Sequence, residues 1–285
     1  MFNIFFVLVV SCFLSMQTAH ADAVAMEVKG VKGTSLSARS FDKKYGGWSN
    51  IEYSAMSVSF KVYAVPIGME PSEDGIVANP DTDSLSPYKK YLIIQRTDAG
   101  EVVDDKGNSF ISSQAYCDVI SMETGCIKNI GSVQQCEGTW QNGKWKTSRG
   151  ELFDFSQEGK PPKLLITDAL RDAENQSRAR FLRDYIFMGI PSYMACYPPE
   201  KNISEYNDMG FYFAQAGEHL LAMQIYDRLL VVAPDRVPLK LNVADSLWAL
   251  GKKNEAKQYY AEYISALRKK NMESKTPGRV KERLN

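Results

Sequence analysis

Between Asn202 and Lys270 the chain repeats itself at a fixed offset. Gly217 returns as Gly251, Ala222 as Ala256, Tyr226 as Tyr260, Leu230 as Ile264, Met209 as Val243 and Phe213 as Leu247. An offset kept alike by small and by large apolar residues marks a unit that stacks on its own copy. The composition of the unit is that of a helical hairpin. A glycine between two antiparallel helices reaches backbone regions that a Cβ closes, and this permits a tight turn. Ala222 and Ala256 suit the crossing point, where a larger side chain would not fit, and Tyr226 and Tyr260 fill the space beyond. Asn202 with Glu205 three residues later is a variant of the capping box, and Pro234 follows the second helix. Asp235 ahead of Pro238, and then Asn254, are the expected caps of the later helices.

The order Tyr206, Met209, Gly210, Phe213, Gly217, Ala222, Tyr226, Pro234 resembles the tetratricopeptide repeat: an aromatic, a Leu-Gly pair, an aromatic, a small residue, an aromatic and a proline at this spacing. The second unit departs from the pattern, with Lys240 at the aromatic position and Ala244 for the glycine. The resemblance covers residues 202–270 and implies a concave face, lined by the first helix of each unit, that holds another protein or a peptide. Carried over residue by residue, that lining is Asn207, Phe211 and Ala214, then Leu241, Asn242, Asp245 and Trp248. The family's clamp for a peptide carboxylate needs lysines and an arginine. Only Asn207 and Asn242 are amides on these lines, so a chain-end carboxylate is not the expected ligand. Phe211 and Trp248 offer an apolar contact instead. Two units alone bury too little to stand by themselves. They are expected to lean on the rest of the chain or on a second chain, which leaves a homo-oligomer open.

The first 21 residues, Met1 to Ala21, carry no charged side chain. Ile4 to Met16 is almost wholly apolar, and Ala19-His20-Ala21 has the form of a cleavage site. This reads as a secretory signal peptide cut after Ala21, which makes the mature chain periplasmic or secreted. No second apolar run follows, so no membrane span is expected. Cys117, Cys126, Cys136 and Cys196 then remain. In an exported protein an even count favours disulfides, and four cysteines allow three connectivities. Three lie close together, which predicts at least one bridge among Cys117, Cys126 and Cys136. Their spacing is wrong for a zinc knuckle, and no metal site is expected.

The fold class expected is α+β, an antiparallel β domain followed by helical hairpins. Residues 22–49 are polar and glycine-bearing and read as a flexible lead that then joins a sheet. Residues 50–157 read as the β domain. Val58, Phe60, Val62 and Ala64 alternate with Ser59, Lys61 and Tyr63, and Tyr91–Ile94 is apolar on both faces. Asn142-Gly143 between short runs asks for a type I′ hairpin that sets Trp140 opposite Trp145. Residues 158–166 break the composition and read as a linker. In 167–201 a bracketing helix is expected, with Leu170, Ala173, Ser177, Phe181, Tyr185 and Met188 on one face, out of register with the repeats, followed by a short element. Residues 271–285 read as a basic, frayed tail.

Lys and Arg number 34 and so do Asp and Glu, so no electrostatic case exists for nucleic acid. There are only two histidines, His20 and His219, and the first leaves with the signal. No nucleophile elbow, zinc-protease motif or phosphate-binding glycine loop occurs, so no catalytic residue and no cofactor is assigned. The expectation is a non-catalytic protein-interaction module: a scaffold or assembly factor, or a neutraliser (an immunity protein) of an exported toxin. Two alternatives stand beside it. One is a carbohydrate- or lipid-binding envelope protein that uses Trp140 and Trp145 as a stacking platform. The other is a hydrolase with an unrecognised carboxylate site.

Overall fold

A computed structural model describes residues 26–56, 58–63, 75–156 and 159–284. The expected signal segment lies outside the described residues. The protein is α+β, as expected, but the sheet starts well before residue 50. Strands β1 (Met26–Lys29), β2 (Ser35–Asp42) and β3 (Gly47–Ala55) are already antiparallel neighbours. The stretch expected as a lead is therefore mostly strand. Its signal is the alternation that buries Val28, Leu36 and Ala38 between polar residues that are at least partly exposed.

From β3 the sheet continues through β4 (Val58–Val62), which pairs with β3, and β5 (Gly75–Pro80). Beyond these run the long β6 (Tyr91–Val103) and β7 (Ser109–Ser121), and then β8 (Ile127–Ser132). The middle of the sheet is covered on both faces, and period two sorts its residues. Leu92, Ile94 and Ile120 join the large core on the helical side, while Ile93, Cys117 and Val119 face the other way. There they meet a small sheet of β9 (Gly138–Gln141), β10 (Lys144–Thr147) and β11 (Leu152–Phe153). The β9–β10 turn is as the sequence asks: Asn142 and Gly143 both have positive φ, and Trp140 pairs with Trp145.

Helix α1 (Pro162–Ala169) begins inside the expected linker, started by a proline whose φ is already helical. The expected bracketing helix is broken at Leu170–Glu174, and α2 runs only Asn175–Tyr185. Its buried face is Ala179 and Leu182, followed by Ile186, one step from the expected stripe, and Leu170 and Ala173 are exposed. Then come α3 (Ile190–Cys196) and the repeat helices α4 (Ile203–Gln215), α5 (His219–Val232), α6 (Val237–Ala249) and α7 (Lys253–Lys269). The tail is not merely frayed, because α8 (Gly278–Leu284) docks with Val280 fully buried.

The repeat packing matches its composition. Ala222 and Ala256 are fully buried, and Gly217 and Gly251 turn the chain at φ of 82° and 77°. A Cβ at Gly210 would run into the Tyr226 ring. The expected caps are not made. Arg236 and Lys252 occupy the N-cap positions of α6 and α7, and the Asn202 amide donates back to the Pro198 carbonyl at 3.0 Å.

Helices and sheet share one apolar core. It runs from Val28 and Leu36 through Ile94 and Ile127 to Tyr193, Tyr206, Tyr226 and Tyr260. Helix α3 is the clamp. The Ser192 hydroxyl donates to Gly125 O at 2.7 Å and accepts from Ile127 N at 3.1 Å, and Cys196 is bridged to Cys126. The second bridge joins Cys117 to Cys136, so the expected local disulfide is present. Beside α3, Arg96 and Asp118 are buried in the sheet. Asp118 accepts from Arg96 Nε at 2.7 Å, Tyr63 OH at 3.0 Å and Asn129 Nδ2 at 2.8 Å. The guanidinium also pairs with Asp98 and lies 4.0 Å from the Phe187 ring centre. Burial pushes the Asp118 carboxyl up from its ordinary range, against the pull of Arg96 and these hydrogen bonds.

Candidate partner-binding face

Contacts between successive hairpins define how the first helices of the units stand beside one another. Arg236 of the α6 N-cap donates to Ser204 at 3.1 Å, and further along the Asn242 amide donates to Asn207 Oδ1 at 3.2 Å. Numbers rise together on both helices, so α4 and α6 run side by side in the same direction. The same holds one step earlier. The Arg178 guanidinium lies 4.8 Å from the Tyr212 ring, and Arg183 Nη1 is 2.7 Å from Glu218 Oε1. It holds one step later too: Arg279 bonds Asp245 at 2.7 Å, and Arg283 lies 5.2 Å from the Trp248 ring. Helices α2, α4, α6 and α8 thus form a parallel ladder, with contacts between partners 32 to 35 positions apart. The expectation that the helix before Tyr185 stands outside the repeat register is corrected: α2 stands beside α4 as one first helix beside the next, through partners 34 and 35 positions apart. Helix α8 does the same at the other end.

The seven residues carried over as the lining fare differently on this ladder, and Ala214 packs partly buried on the core. Asn207 is buried and held by Asn242, and Leu241 packs on the core. Asp245 is engaged inside the molecule. It accepts from Tyr260 OH at 2.7 Å and pairs with both Arg279 and Arg283. This setting pushes the Tyr260 hydroxyl up to about 12, chiefly through burial and then through its bond to Asp245. Trp248 is half-buried against Tyr260, with Lys253 5.4 Å and Arg283 5.2 Å from its ring. Phe211 alone of the seven is exposed, at 41%. The tail supplies what the sequence reading lacked on these lines, two arginines, but both are already paired with Asp245. The missed signal was Arg279, which sits at Asp245 plus the repeat offset.

The alternative platform is not formed. Trp145 is 2% exposed and donates its indole N–H to Gln135 O at 2.8 Å. The Trp140 indole donates to Ser84 O at 2.6 Å, and both rings pack with Phe155 in the second core. A cleft of about 240 Å³ opens beside the Cys126–Cys196 bridge, lined by Tyr91, Lys128, Phe155 and Tyr197. It falls below the several hundred Å³ usual for a drug-sized ligand. Among the described residues no group of three or more His, Cys, Asp or Glu could hold a metal ion.

No protein-family model matches this chain, and no curated protein matches it. One solved structure similar to it is the Sgt2 TPR domain from Aspergillus fumigatus, at TM-score 0.30 and 14% identity, covering 43% of this chain and 74% of that one. At that score the likeness carries no argument, and the repeat stands on its own contacts. The two disulfides point to an oxidising compartment. No helix among the described residues is long and apolar enough to cross a membrane.

Proposed function

We propose that this chain is a non-catalytic protein-interaction module, exported through the Met1–Ala21 signal to the periplasm or beyond, whose helical ladder holds a partner protein. The observation that carries the reading is the ladder α2-α4-α6-α8 with Phe211 uncovered on it. Such ladders are built to present side chains from several parallel helices to one extended ligand. The neighbouring positions are closed by internal bonds, so Phe211 is the anchor and the rim around it is fixed before binding. A preformed rim lowers the ordering cost of association. The partner is another exported protein, taken either as a client for assembly or as a toxin to be neutralised.

The test is capture of partners from a periplasmic extract by the mature chain, with Phe211→Ala as the comparison. Phe211 is exposed, so its truncation leaves melting unchanged, and loss of a captured protein with intact folding supports the reading. Retention of every captured protein by Phe211→Ala removes the face. Turnover of a substrate by the purified chain would overturn the non-catalytic assignment.

A further inference from the structure

The β6–β7 hairpin outruns the sheet it belongs to. Pairing of β5 with β6 ends at Ala99, and pairing of β8 with β7 begins at Tyr116. Among the described residues, Gly100–Val103 pair only with Ser109–Ser112, and Ser113–Ala115 pair only with Thr97–Ala99, so the outer edge of β7 from Ser109 to Ala115 has no strand partner. Every residue from Val102 to Gln114 is exposed. This is a built arm rather than an open loop. Its turn is closed by Asp104, which accepts from Asn108 N at 2.8 Å, Lys106 N at 2.9 Å and Asn108 Nδ2 at 2.9 Å. Its base is pinned by the Cys117–Cys136 bridge.

Two features of the arm are costly for a monomer. Apolar side chains stand in water on both faces: Val102 at 42% and Phe110 at 50% on one, Val103 at 61% and Ile111 at 37% on the other. The outer edge of β7, Ser109-Phe110-Ile111-Ser112-Ser113-Gln114-Ala115, holds neither a charge nor a proline. Natural sheets blunt free edges with lysine, proline, bulges or brevity, and this edge has none of those devices over seven residues. A two-stranded ribbon alone is marginal in water, whereas four strands are not.

We infer that the occupant of this edge is a second copy of the same chain, paired antiparallel through β7 about a two-fold axis at Ser112. A two-fold contact sets one surface against itself. The absence of charge from Ser109 to Ala115 is what makes such a contact free of like-charge opposition. Centring the axis on Ser112 uses the whole free edge, with Ser109 across from Ala115 and Ser112 across from its own counterpart. The result is a four-stranded sheet, β6-β7-β7-β6, standing clear of the helical ladder. Each dimer then carries two ladders, free to engage partners independently.

Sedimentation of the full mature chain over a range of concentrations tests this, with a charge swap at the axis. The wild-type chain is expected to dimerise. Ser112→Lys alone and Ser112→Asp alone set like charges directly opposite each other and should weaken the dimer at least ten-fold. Mixed together, the two variants should restore it as a heterodimer. Ser112 is exposed and outside both cores, so at concentrations too low for dimerisation the melting of all three proteins should agree, and that agreement keeps a loss of dimer from being read as misfolding. A wild-type chain that stays monomeric at millimolar concentration overturns the proposal. So does a dimer that survives Ser112→Lys, or a monomer that captures an extended peptide on this edge instead. Phe211→Ala leaves the dimer intact, so this test and that of the ladder fail separately.

Discussion

Arg279 donates to Asp245 at 2.7 Å, and the two are separated by one repeat length of 34 positions. The C-terminal helix is thereby held where a third unit would begin. Asp245 accepts from Arg279, Arg283 and the Tyr260 hydroxyl, and Arg283 also donates to that hydroxyl. Asp245→Asn removes the charge that holds all three. These groups are partly exposed, so screening limits the loss to roughly 1 kcal/mol of global stability. The sharper readout is local: amide exchange in Gly278–Leu284 should rise strongly while that in α4 and α5 stays slow. Unchanged exchange in α8 would show that Val280 alone holds it.

The two bridges should differ in worth. Cys126–Cys196 closes a separation of 70 residues and Cys117–Cys136 one of 19. On chain entropy alone the longer loop contributes roughly 4 kcal/mol and the shorter roughly 3 kcal/mol. Cys126→Ser with Cys196→Ser should therefore lower the melting temperature more than Cys117→Ser with Cys136→Ser. Denaturant unfolding of the two double variants decides it, and the reverse order would place strain in the longer bridge.

Asp118 and Arg96 present a buried pair whose halves cannot be removed singly. Both side chains are at most 4% exposed. Asp118→Ala strands the guanidinium beside Phe187 with Asp98 as its one remaining anion, a loss of roughly 3–5 kcal/mol. Arg96→Met together with Asp118→Leu should recover much of that loss, since matched apolar residues avoid the desolvation of both charges. Chemical denaturation of the single and double variants measures the difference.

His219 supplies a pH dependence of known sign. Its ring lies 3.4 Å from the Ser246 hydroxyl, and burial lowers its pKa below the ordinary 6.5, against an opposite pull from Asp245. The unfolded chain thus takes up the proton first, so this group removes stability as pH falls below 6.5 and has no effect well above it. Between about pH 7.5 and about pH 5.5 the melting temperature of wild type should fall more than that of His219→Gln. Equal slopes would show that the ring is protonated as easily folded as unfolded.

What the sequence revealed and what it hid divides along a physical line. The two hairpins were legible because close packing dictates residue identity: only glycine turns at 217 and 251, and only a small side chain fits at 222 and 256. The outer rungs, α2 and α8, were not. They join through long side chains, Arg178 on Tyr212 and Arg279 on Asp245, and such contacts ask for no particular small residue at a fixed place. The early strands left a visible signal in Leu36 and Ala38, overridden by the glycines around them. The residues expected to line the binding face do lie on α4 and α6, but Asn207 and Asp245 are engaged by neighbours inside the molecule. Whether a polar side chain meets a partner or a neighbouring helix depends on contacts that linear spacing does not carry.

The bridge between Cys126 and Cys196 also decides how this molecule answers tension. A chain drawn out from its two ends passes its load through that covalent link, and the 70 residues it spans never enter the stretched path. At about 3.4 Å per residue, full extension falls short by roughly 240 Å until the bond is reduced. That missing length comprises β8, the small sheet and α1 to α3. A partner tugging on the ladder would meet a strap that joins it to the sheet and stops the clamp helix from peeling away.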